Sequence, residues 1–350
     1  MVGVAARILH SAVTSQPATA DGKGTSVAHS PHLVIVGVGH VGSDVLTYAG
    51  TLGLFGRISL IDIDTGVSRG QALDHHQAGG VPPMLSTVIE STDYSACADA
   101  DVVIVAAGPS IIPNEDNSNG TDSRNGLAEV NAPIIREVMA GISAHTRCAA
   151  VILITNPLDV NVHIASTEFD YPRPLVFGTG TALDSARLRR IIADRAGVSP
   201  DSVQAFMLGE HGATAFPYLS HATIGGLSLS EAATVLGTAP FDPDEVGRSV
   251  VEAAFDVFYA KKWTSSGIAR AAVSLARAVV LDQKVIAPVC TVAEGVHGFN
   301  GEVSLSLPAV VGAGGVERHL EVPLDDWEAD HLRLSAESVS RIYASVAPRR

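Results

Sequence analysis

The stretch HLVIVGVGHVGSDVL, residues 32–46, decides the fold of this chain. Its apolar run, Leu33 to Val36, is short enough for a buried parallel strand and leads directly into Gly37, Gly39 and Gly42. A lone GxGxxG is weak evidence, but this one follows a predicted strand and opens a predicted helix. Such glycines allow a tight turn and let a pyrophosphate approach the helix N-terminus. The stretch therefore predicts a dinucleotide-binding βαβ unit.

The next predicted strand, ISLIDID, ends at Asp62, twenty residues after Gly42. A carboxylate at this position accepts hydrogen bonds from the adenosine ribose hydroxyls and repels a 2′-phosphate. The spacing therefore favours NAD over NADP as the cofactor. Asp64, close by, is interpreted as a solvated turn residue.

Strands and helices alternate through residues 32–178, which predicts a parallel, doubly wound sheet. Ligands collect at the C-terminal ends of such strands. Two further predicted strands, in DADVVIVAAG and AAVILITNPLDV, carry small or polar residues at those ends: Ala107, Gly108, Thr155 and Asn156. Asn156 is a candidate for binding nicotinamide ribose or substrate, although a turn-forming Asn-Pro is the ordinary interpretation.

Residues 109–126, PSIIPNEDNSNGTDSRNG, form the least regular stretch of the chain. Their composition predicts a loop that is longer than the usual connection, and so a lid, before a helix over about 127–144. Arg124 is the one cation in this stretch and could polarise a carbonyl oxygen as the site closes. The alternative is a solvated charge on a mobile loop.

The stretch GTGTALDSARLRRII, residues 178–192, places Asp184 and Arg187 one helical turn apart on the same face. Alone, such a pair is more often a surface ion pair. With a histidine such as His211 of LGEHG, however, the carboxylate could orient an imidazole while the guanidinium binds a substrate carboxylate through two hydrogen bonds.

The second half of the chain has a different pattern of predicted elements. The pattern predicts a strand over 203–208, a helix over 244–261, an amphipathic helix beginning after Thr264, and a closing helix near the C-terminus. Residues 285–292, 302–311 and 317–322 predict an antiparallel sheet. Thr264 alone is most simply an N-cap residue. The predicted fold class is therefore α/β: an N-terminal Rossmann doubly wound parallel sheet (31–178), then an α+β catalytic domain with an antiparallel sheet (179–350).

Composition narrows the possible functions. The chain of 350 residues is 46% hydrophobic, and its net charge of −14 disfavours nucleic acid or an anionic membrane as a partner. Three widely spaced cysteines without CxxC suggest neither disulfides nor zinc, so we expect a reducing, cytoplasmic location. The adjacent His75 and His76 point in different directions on a helix, and no metal site is predicted. Residues 1–30 are expected to form a flexible tail or an oligomer arm; they resemble a transit peptide only weakly.

With these residues assembled, the sequence resembles the L-lactate/malate dehydrogenase family, and within it the L-lactate and L-2-hydroxyisocaproate type. The resemblance covers roughly residues 32–346. Its motifs follow the family's order and spacing: GVGHVG, LID, AAG, TNPLD, GTGTALDSAR, GEHG and WTSSGIA.

The resemblance implies a role for each matching residue. His211 corresponds to the acid/base, Asp184 to its orienting partner, Arg187 to the residue that binds the substrate carboxylate, and Arg124 to the lid arginine. Asn156 and Thr264 correspond to substrate- and nicotinamide-contacting positions. The implied cofactor site comprises Gly37, Gly39, Val41, Gly42, Asp62, Ala107, Gly108, Thr155 and Asn156. The resemblance also implies a small 2-oxo or 2-hydroxy acid substrate and a homodimer or homotetramer.

Two positions depart from the common family pattern. Ile111 stands where lactate enzymes usually have glutamine and malate enzymes arginine, which argues against oxaloacetate and leaves larger apolar 2-oxo acids open. Gln204 stands where lactate enzymes activated by fructose 1,6-bisphosphate carry histidine, while Arg189 remains. We therefore expect weak activation or none.

The leading interpretation is an NAD-dependent L-lactate dehydrogenase. The alternative is the same chemistry on bulkier 2-oxo acids; malate dehydrogenase and a non-catalytic nucleotide-binding homologue are less favoured. An NAD- and metal-dependent glycosidase would need a metal-ligand set that the sequence does not suggest.

Overall fold

The computed structural model describes residues 30–82, 86–109 and 120–348, with the side chains of 120–125 outside the description. The strands of this described part are β1 His32–Val36, β2 Arg57–Ile61, β3 Val88–Ser91, β4 Val102–Val105, β5 Ala150–Leu153, β6 Val176–Gly178, β7 Val203–Leu208, β8 Phe216–Ile224, β9 Leu227–Ser228, β10 Val285–Val296, β11 Phe299–Gly312 and β12 Gly315–His319. Its helices are α1 His40–Leu52, α2 Thr65–Ala78, α3 Gly120–Ser143, α4 Leu158–Thr167, α5 Ala182–Ala196, α6 Leu229–Leu236, α7 Pro243–Lys261, α8 Ser266–Val280 and α9 Asp326–Val346.

The first six strands form the parallel part of the main sheet. Their order is β3-β2-β1-β4-β5-β6, and every neighbouring pair is parallel. This is the doubly wound Rossmann order, in which the strand sequence reverses between β1 and β4. The prediction of a doubly wound parallel sheet is therefore confirmed, and its ligand-binding crevice lies beyond the C-terminal ends of these two strands.

Antiparallel strands make up the rest of the β structure. Strands β10, β11 and β12 pair in antiparallel fashion, as the sequence predicts, but they extend the main sheet because Cys290 of β10 pairs with Gly178 of β6. The pairing satisfies backbone groups that β6 would otherwise expose as an edge strand. A separate sheet of β7, β8 and β9 is also antiparallel.

The apolar run in β1 is explained by burial on both faces of the sheet. Val34 and Val36 belong to one core cluster and Leu33 and Ile35 to the other. Helices α3, α4 and α9 pack into the first cluster, and α1 and α8 into the second. A strand covered on both sides has no polar face, so it reads as a continuous hydrophobic segment.

The predicted loop over 109–126 is wrong at its C-terminal end, because α3 begins at Gly120 and already includes residues 120–126. Asp, Ser and Asn disfavour helix interiors and mark turns, so the composition points to a loop. The core packing of Ala128, Ala132 and Ile135, in the middle of α3, nevertheless stabilises the helix. The rest of the predicted lid, residues 110–119 with Ile111, and the predicted tail over 1–29 lie outside the described residues.

No helix of the described ranges combines the length and the apolar character that crossing a bilayer requires.

Candidate active site

Helix α5 carries the pair that the sequence places one turn apart. The Arg187 guanidinium donates from Nη1 to Asp184 Oδ1 at 2.7 Å, and the two side chains are 17% and 11% exposed. Exposed pairs of this kind contribute little, but burial removes the screening by water that weakens them. Asp184 is therefore buried and Arg187 partly buried, and the interpretation as a surface ion pair does not apply.

His211 lies just beyond β7 and is held at two points. Its ring nitrogen Nδ1 is 2.6 Å from Asp184 Oδ2, and its backbone N–H donates to Asp159 Oδ2 at 2.8 Å. Because an ionised carboxylate only accepts, Nδ1 carries the hydrogen in this contact. The arrangement leaves Nε2, on the far side of the ring, as the nitrogen that is able to exchange a proton.

The electrostatics of Asp184 suit a residue that stays ionised. Burial would raise the pKa of its carboxyl group, but the charges and hydrogen bonds of His211 and Arg187 outweigh burial and hold the pKa below its usual value. An ionised Asp184 stabilises a protonated imidazole on His211. The site can therefore hold a proton on a partly buried imidazole.

Sequence reasoning missed a second buried carboxylate, Asp159, in the first turn of α4. Burial and then the like charge of Glu210 raise its pKa to about 6, although His211 acts in the opposite direction. Glu210 is itself buried and accepts a hydrogen bond from the Thr214 hydroxyl at 2.5 Å. One signal was available: an aspartate ends the TNPLD motif, directly after a predicted buried strand.

The glycine turn is the predicted dinucleotide end of the site. A Cβ at Gly37, whose φ is +88°, would lie 2.6 Å from the Ala107 nitrogen, and a Cβ at Gly42 would lie 1.9 Å from the Gly37 carbonyl oxygen. These two glycines are therefore required by close backbone approach. A Cβ at Gly39, by contrast, would meet no atom within 4 Å, so the turn opens there onto unfilled space.

The ends of β4 and β5 lie against this turn. The Thr155 hydroxyl donates to the Ala107 carbonyl oxygen at 2.7 Å, and a Cβ at Gly108 would lie 3.0 Å from Thr155 Cγ2. The carbonyl oxygen of Asn156 accepts from the buried Asn131 side chain at 2.6 Å, a support that sequence reasoning also missed. Thr155 bonds to Ala107, which lies against Gly37 of the glycine turn, and Asp159 bonds to His211. The segment 155–159 therefore links the glycine turn to His211.

The groups around the turn fit NAD. The N-cap of α1 makes no side-chain hydrogen bond and its first turn holds no acidic residue, so its backbone N–H groups suit a pyrophosphate. Asp62 accepts from the Val38 N–H at 2.8 Å and the Asp64 N–H at 2.9 Å, which fixes its carboxylate beside the turn. A carboxylate has about four acceptor positions, which leaves capacity for ribose hydroxyls.

The remaining predicted positions are placed as follows. Val41 lies in the first turn of α1, partly buried against the core. Thr264 is half-buried, but the N-cap of α8 is Ser265, so the simple N-cap interpretation of Thr264 is wrong. Arg124 falls in α3, and its side chain lies outside the described residues. Asp64 caps α2 by accepting from the backbone N–H groups of residues 66 and 67.

His75 contacts the Gln71 carbonyl oxygen and the Thr47 hydroxyl, which agrees with a structural role. Within the described residues, no group of three or more His, Cys, Asp or Glu side chains is arranged to hold a metal ion.

Comparison with known proteins agrees with this geometry. The NAD-binding domain model of the lactate/malate dehydrogenases matches residues 32–178, and their alpha/beta C-terminal domain model matches residues 181–346. A dinucleotide-binding fold combined with a carboxylate-held histidine is typical of an NAD-dependent oxidoreductase. The chain belongs to the lactate/malate dehydrogenase family, which confirms the predicted family, cofactor and reaction class.

Individual relatives cover nearly the whole chain. An L-lactate dehydrogenase of Selenomonas ruminantium is 37% identical over 88% of this chain and 95% of its own length. Malate dehydrogenase 1 of Anaeromyxobacter dehalogenans is 35% identical over 91% of this chain and 99% of its own length. The crystal structure of MGS-M5, a lactate dehydrogenase from a deep-sea metagenome library, superposes with a TM-score of 0.83 at 28% identity, covering 91% and 99% of the two chains.

Proposed function

We propose that the chain is an NAD-dependent L-lactate dehydrogenase that interconverts pyruvate and L-lactate. The observation that carries the proposal is the 2.6 Å contact between His211 Nδ1 and Asp184 Oδ2, with Arg187 bound to the other oxygen of the same carboxylate. A module that only binds a nucleotide needs the glycine turn and Asp62 but has no use for this triad.

In the proposed mechanism NAD, when bound, supplies or accepts the hydride. His211 gives the proton at Nε2 to the keto oxygen during reduction and takes it back from the hydroxyl during oxidation. Asp184 holds Nδ1, fixes the ring orientation and stabilises the imidazolium form. The chain thereby moves one proton between a defined nitrogen and the substrate oxygen.

Arg187 binds the substrate carboxylate. Its contact with Asp184 uses one of the five N–H donors of the guanidinium and fixes the plane of the group. A planar fork can then take a carboxylate through two parallel hydrogen bonds. From the family resemblance we propose that Arg124 polarises the keto carbonyl and that Asn156 and Thr264 contact substrate and nicotinamide.

The expected substrate preference depends on Ile111 occupying the position that is glutamine in lactate enzymes and arginine in malate enzymes. An apolar side chain there offers no partner for the second carboxylate of oxaloacetate, which favours a monocarboxylic substrate. The alternative function within the same chemistry is reduction of larger apolar 2-oxo acids, as in L-2-hydroxyisocaproate dehydrogenases.

Activation by fructose 1,6-bisphosphate is expected to be weak or absent. Gln204 lies exposed on β7, and Arg189 donates to the Ala205 carbonyl oxygen at 3.3 Å from a partly buried position. Burial also lowers the pKa of Arg189.

A steady-state rate comparison tests these assignments. Purified chain with NADH is assayed on pyruvate, 2-oxoisocaproate and oxaloacetate, each with and without the bisphosphate. We expect the highest kcat/KM with pyruvate and little change on adding the bisphosphate. A clear preference for oxaloacetate would contradict the Ile111 assignment, and no activity on any 2-oxo acid would overturn the proposed function.

Three further proposals go with this function. Residues 31–178 hold NAD, residues 179–350 complete the substrate site, and residues 1–30 form a tail. The chain works in the cytoplasm. It assembles as a homodimer or homotetramer, which light scattering on a sizing column would test.

A further inference from the structure

The segment between α7 and α8 touches the glycine turn through a pair of aromatic rings. His40, the first residue of α1, stacks on Trp263 with ring centroids 4.3 Å apart and an interplanar angle of 5°. Trp263 immediately precedes Thr264. The stack therefore links the N-terminus of α1, which suits a pyrophosphate, to the residue before Thr264, the predicted nicotinamide-contacting position.

A second contact joins the same two elements one helical turn further along. The Ser266 hydroxyl donates to Asp44 Oδ2 at 3.0 Å. Because residues 40 and 44 share one face of α1, the stack and this hydrogen bond act side by side. Residues 263–266 are thus attached at two points to the helix that opens the cofactor site.

Lys261, the last residue of α7, also contacts Trp263. Its Nζ lies 5.7 Å from the Trp263 ring centroid and donates to the Ser265 hydroxyl at 3.3 Å. A cation within about 6 Å of an indole face is attracted to it. Lys261 therefore contacts the residues on both sides of Thr264, and His40 contacts Trp263 from α1.

We propose that His40 and Trp263 form a stacked clasp that positions Thr264 for the nicotinamide half of NAD. The proposal rests on the NAD dependence of the proposed function. Both residues act as positioning residues: they set the distance between the glycine turn and the α7–α8 junction. Loss of the clasp then weakens binding of NADH but spares ADP-ribose, which has the pyrophosphate and both riboses but no nicotinamide.

The first test asks whether the stack exists in the protein without cofactor. The chain has two tryptophans, Trp263 and Trp327, so Trp327→Phe leaves Trp263 as the one indole reporter. An imidazole stacked on an indole quenches its fluorescence, most strongly when protonated. Adding His40→Ala to this background should raise the emission, and an unchanged emission would overturn the proposal.

The second test measures binding by titration calorimetry. His40→Ala should weaken NADH by about two- to tenfold, the range an aromatic pair contributes, and leave ADP-ribose within about twofold. His40→Phe, which keeps a stacking ring, should restore NADH affinity. His76→Ala, an exposed histidine on α2, is the matched control and should change neither ligand.

A double-mutant cycle separates the clasp from two independent effects. Trp263→Leu should weaken NADH to a similar degree, and adding His40→Ala to it should cost little more, because contacting residues are not additive. Equal weakening of NADH and ADP-ribose, or strict additivity, would overturn the proposal. A wild-type chain that binds NADH but reduces no 2-oxo acid would refute the proposed function alone and leave this test intact.

Discussion

Two buried carboxylates flank His211, and their environments push them in opposite directions. Asp184 holds the ring and lies next to Arg187, and its pKa is below the usual value. Asp159 holds the backbone N–H and lies next to Glu210, and its pKa is raised to about 6. Burial disfavours ionisation at both, so the sign of the neighbouring charge decides the outcome.

Asp184 has a proposed chemical role, whereas Asp159 has a structural one. In the proposed mechanism, Asp184 keeps a negative charge beside an imidazole that gains or loses its positive charge during turnover. Asp159 accepts a hydrogen bond from a backbone group whose charge does not change. Substitutions on the two sides of His211 should therefore affect different measurements: the rate on one side and the pH dependence of stability on the other.

The largest expected effect is that of Asp184→Asn on turnover. Replacing a buried carboxylate that orients a histidine with an amide removes the charge and disturbs the tautomer, a change that costs about four orders of magnitude in a serine-protease triad. We expect kcat for pyruvate reduction to fall by about a thousandfold while the Kd for NADH stays within about twofold. Asp159→Asn is the matched control, and an equal loss of rate in both variants would show that the two carboxylates do not differ in role.

Arg187→Lys should act next most strongly, and on substrate binding. One ammonium cannot reproduce the bidentate fork, so KM for pyruvate should rise by about a hundredfold. Arg190→Lys offers a control on the same helix, because Arg190 is 66% exposed and pairs with Asp194 instead. Steady-state kinetics decide the matter: unchanged substrate affinity in Arg187→Lys would remove its assigned role.

Asp159→Asn should change stability. With its pKa at about 6 in the folded protein against 3.8 normally, Asp159 costs folding free energy that is fully present above pH 6 and disappears as the pH falls toward 4. The amide still accepts from the His211 N–H. We expect the variant to gain roughly 1–3 kcal/mol in unfolding free energy at pH 7.5, with the gain shrinking toward pH 4.

Urea unfolding of wild type and Asp159→Asn at a series of pH values measures this gain. A variant less stable than wild type at pH 7.5 would show that the carboxylate charge contributes more than its burial costs.

Glu210→Gln should have the smallest effect. Glu210 ranks after burial among the causes that raise the pKa of Asp159, so removing its charge should lower that pKa only in part. We expect a stability gain of less than about 1 kcal/mol at pH 7.5, since glutamine can still accept from Thr214. If Glu210→Gln gained more unfolding free energy than Asp159→Asn, Glu210 would be the main source of the electrostatic destabilisation.

Much of the fold follows from local sequence pattern. The apolar runs of β1, β4 and β5 and the glycine turn after β1 predict the doubly wound sheet, because strands buried on both faces leave a clear signal. The start of α3 at Gly120 could not be predicted, since short polar residues there favour a turn locally and only tertiary packing of the same helix overrides them. Strand β3 escaped notice because Val88–Ser91 is partly exposed and lacks a continuous apolar run.

The site residues that belong to family motifs could be predicted from the sequence. Those whose chemistry depends on burial in the folded chain could not. Spacing alone puts Asp184 and Arg187 on one face, and the structure joins them to His211. Nothing in the spacing brings Asp159 to the backbone of a residue fifty-two positions away. Its raised pKa depends on that contact and on the burial of Glu210, which are properties of the folded chain.

The central claim is that His211, held by Asp184, delivers the proton as hydride is transferred. Single-turnover reduction of pyruvate by NADH in His211→Gln tests it most directly, with NADH affinity measured on the same sample. The account predicts a hydride-transfer step slowed by about a thousandfold or more with NADH affinity within about twofold of wild type. A variant that reduces pyruvate within about tenfold of the wild-type rate would show that another group supplies the proton.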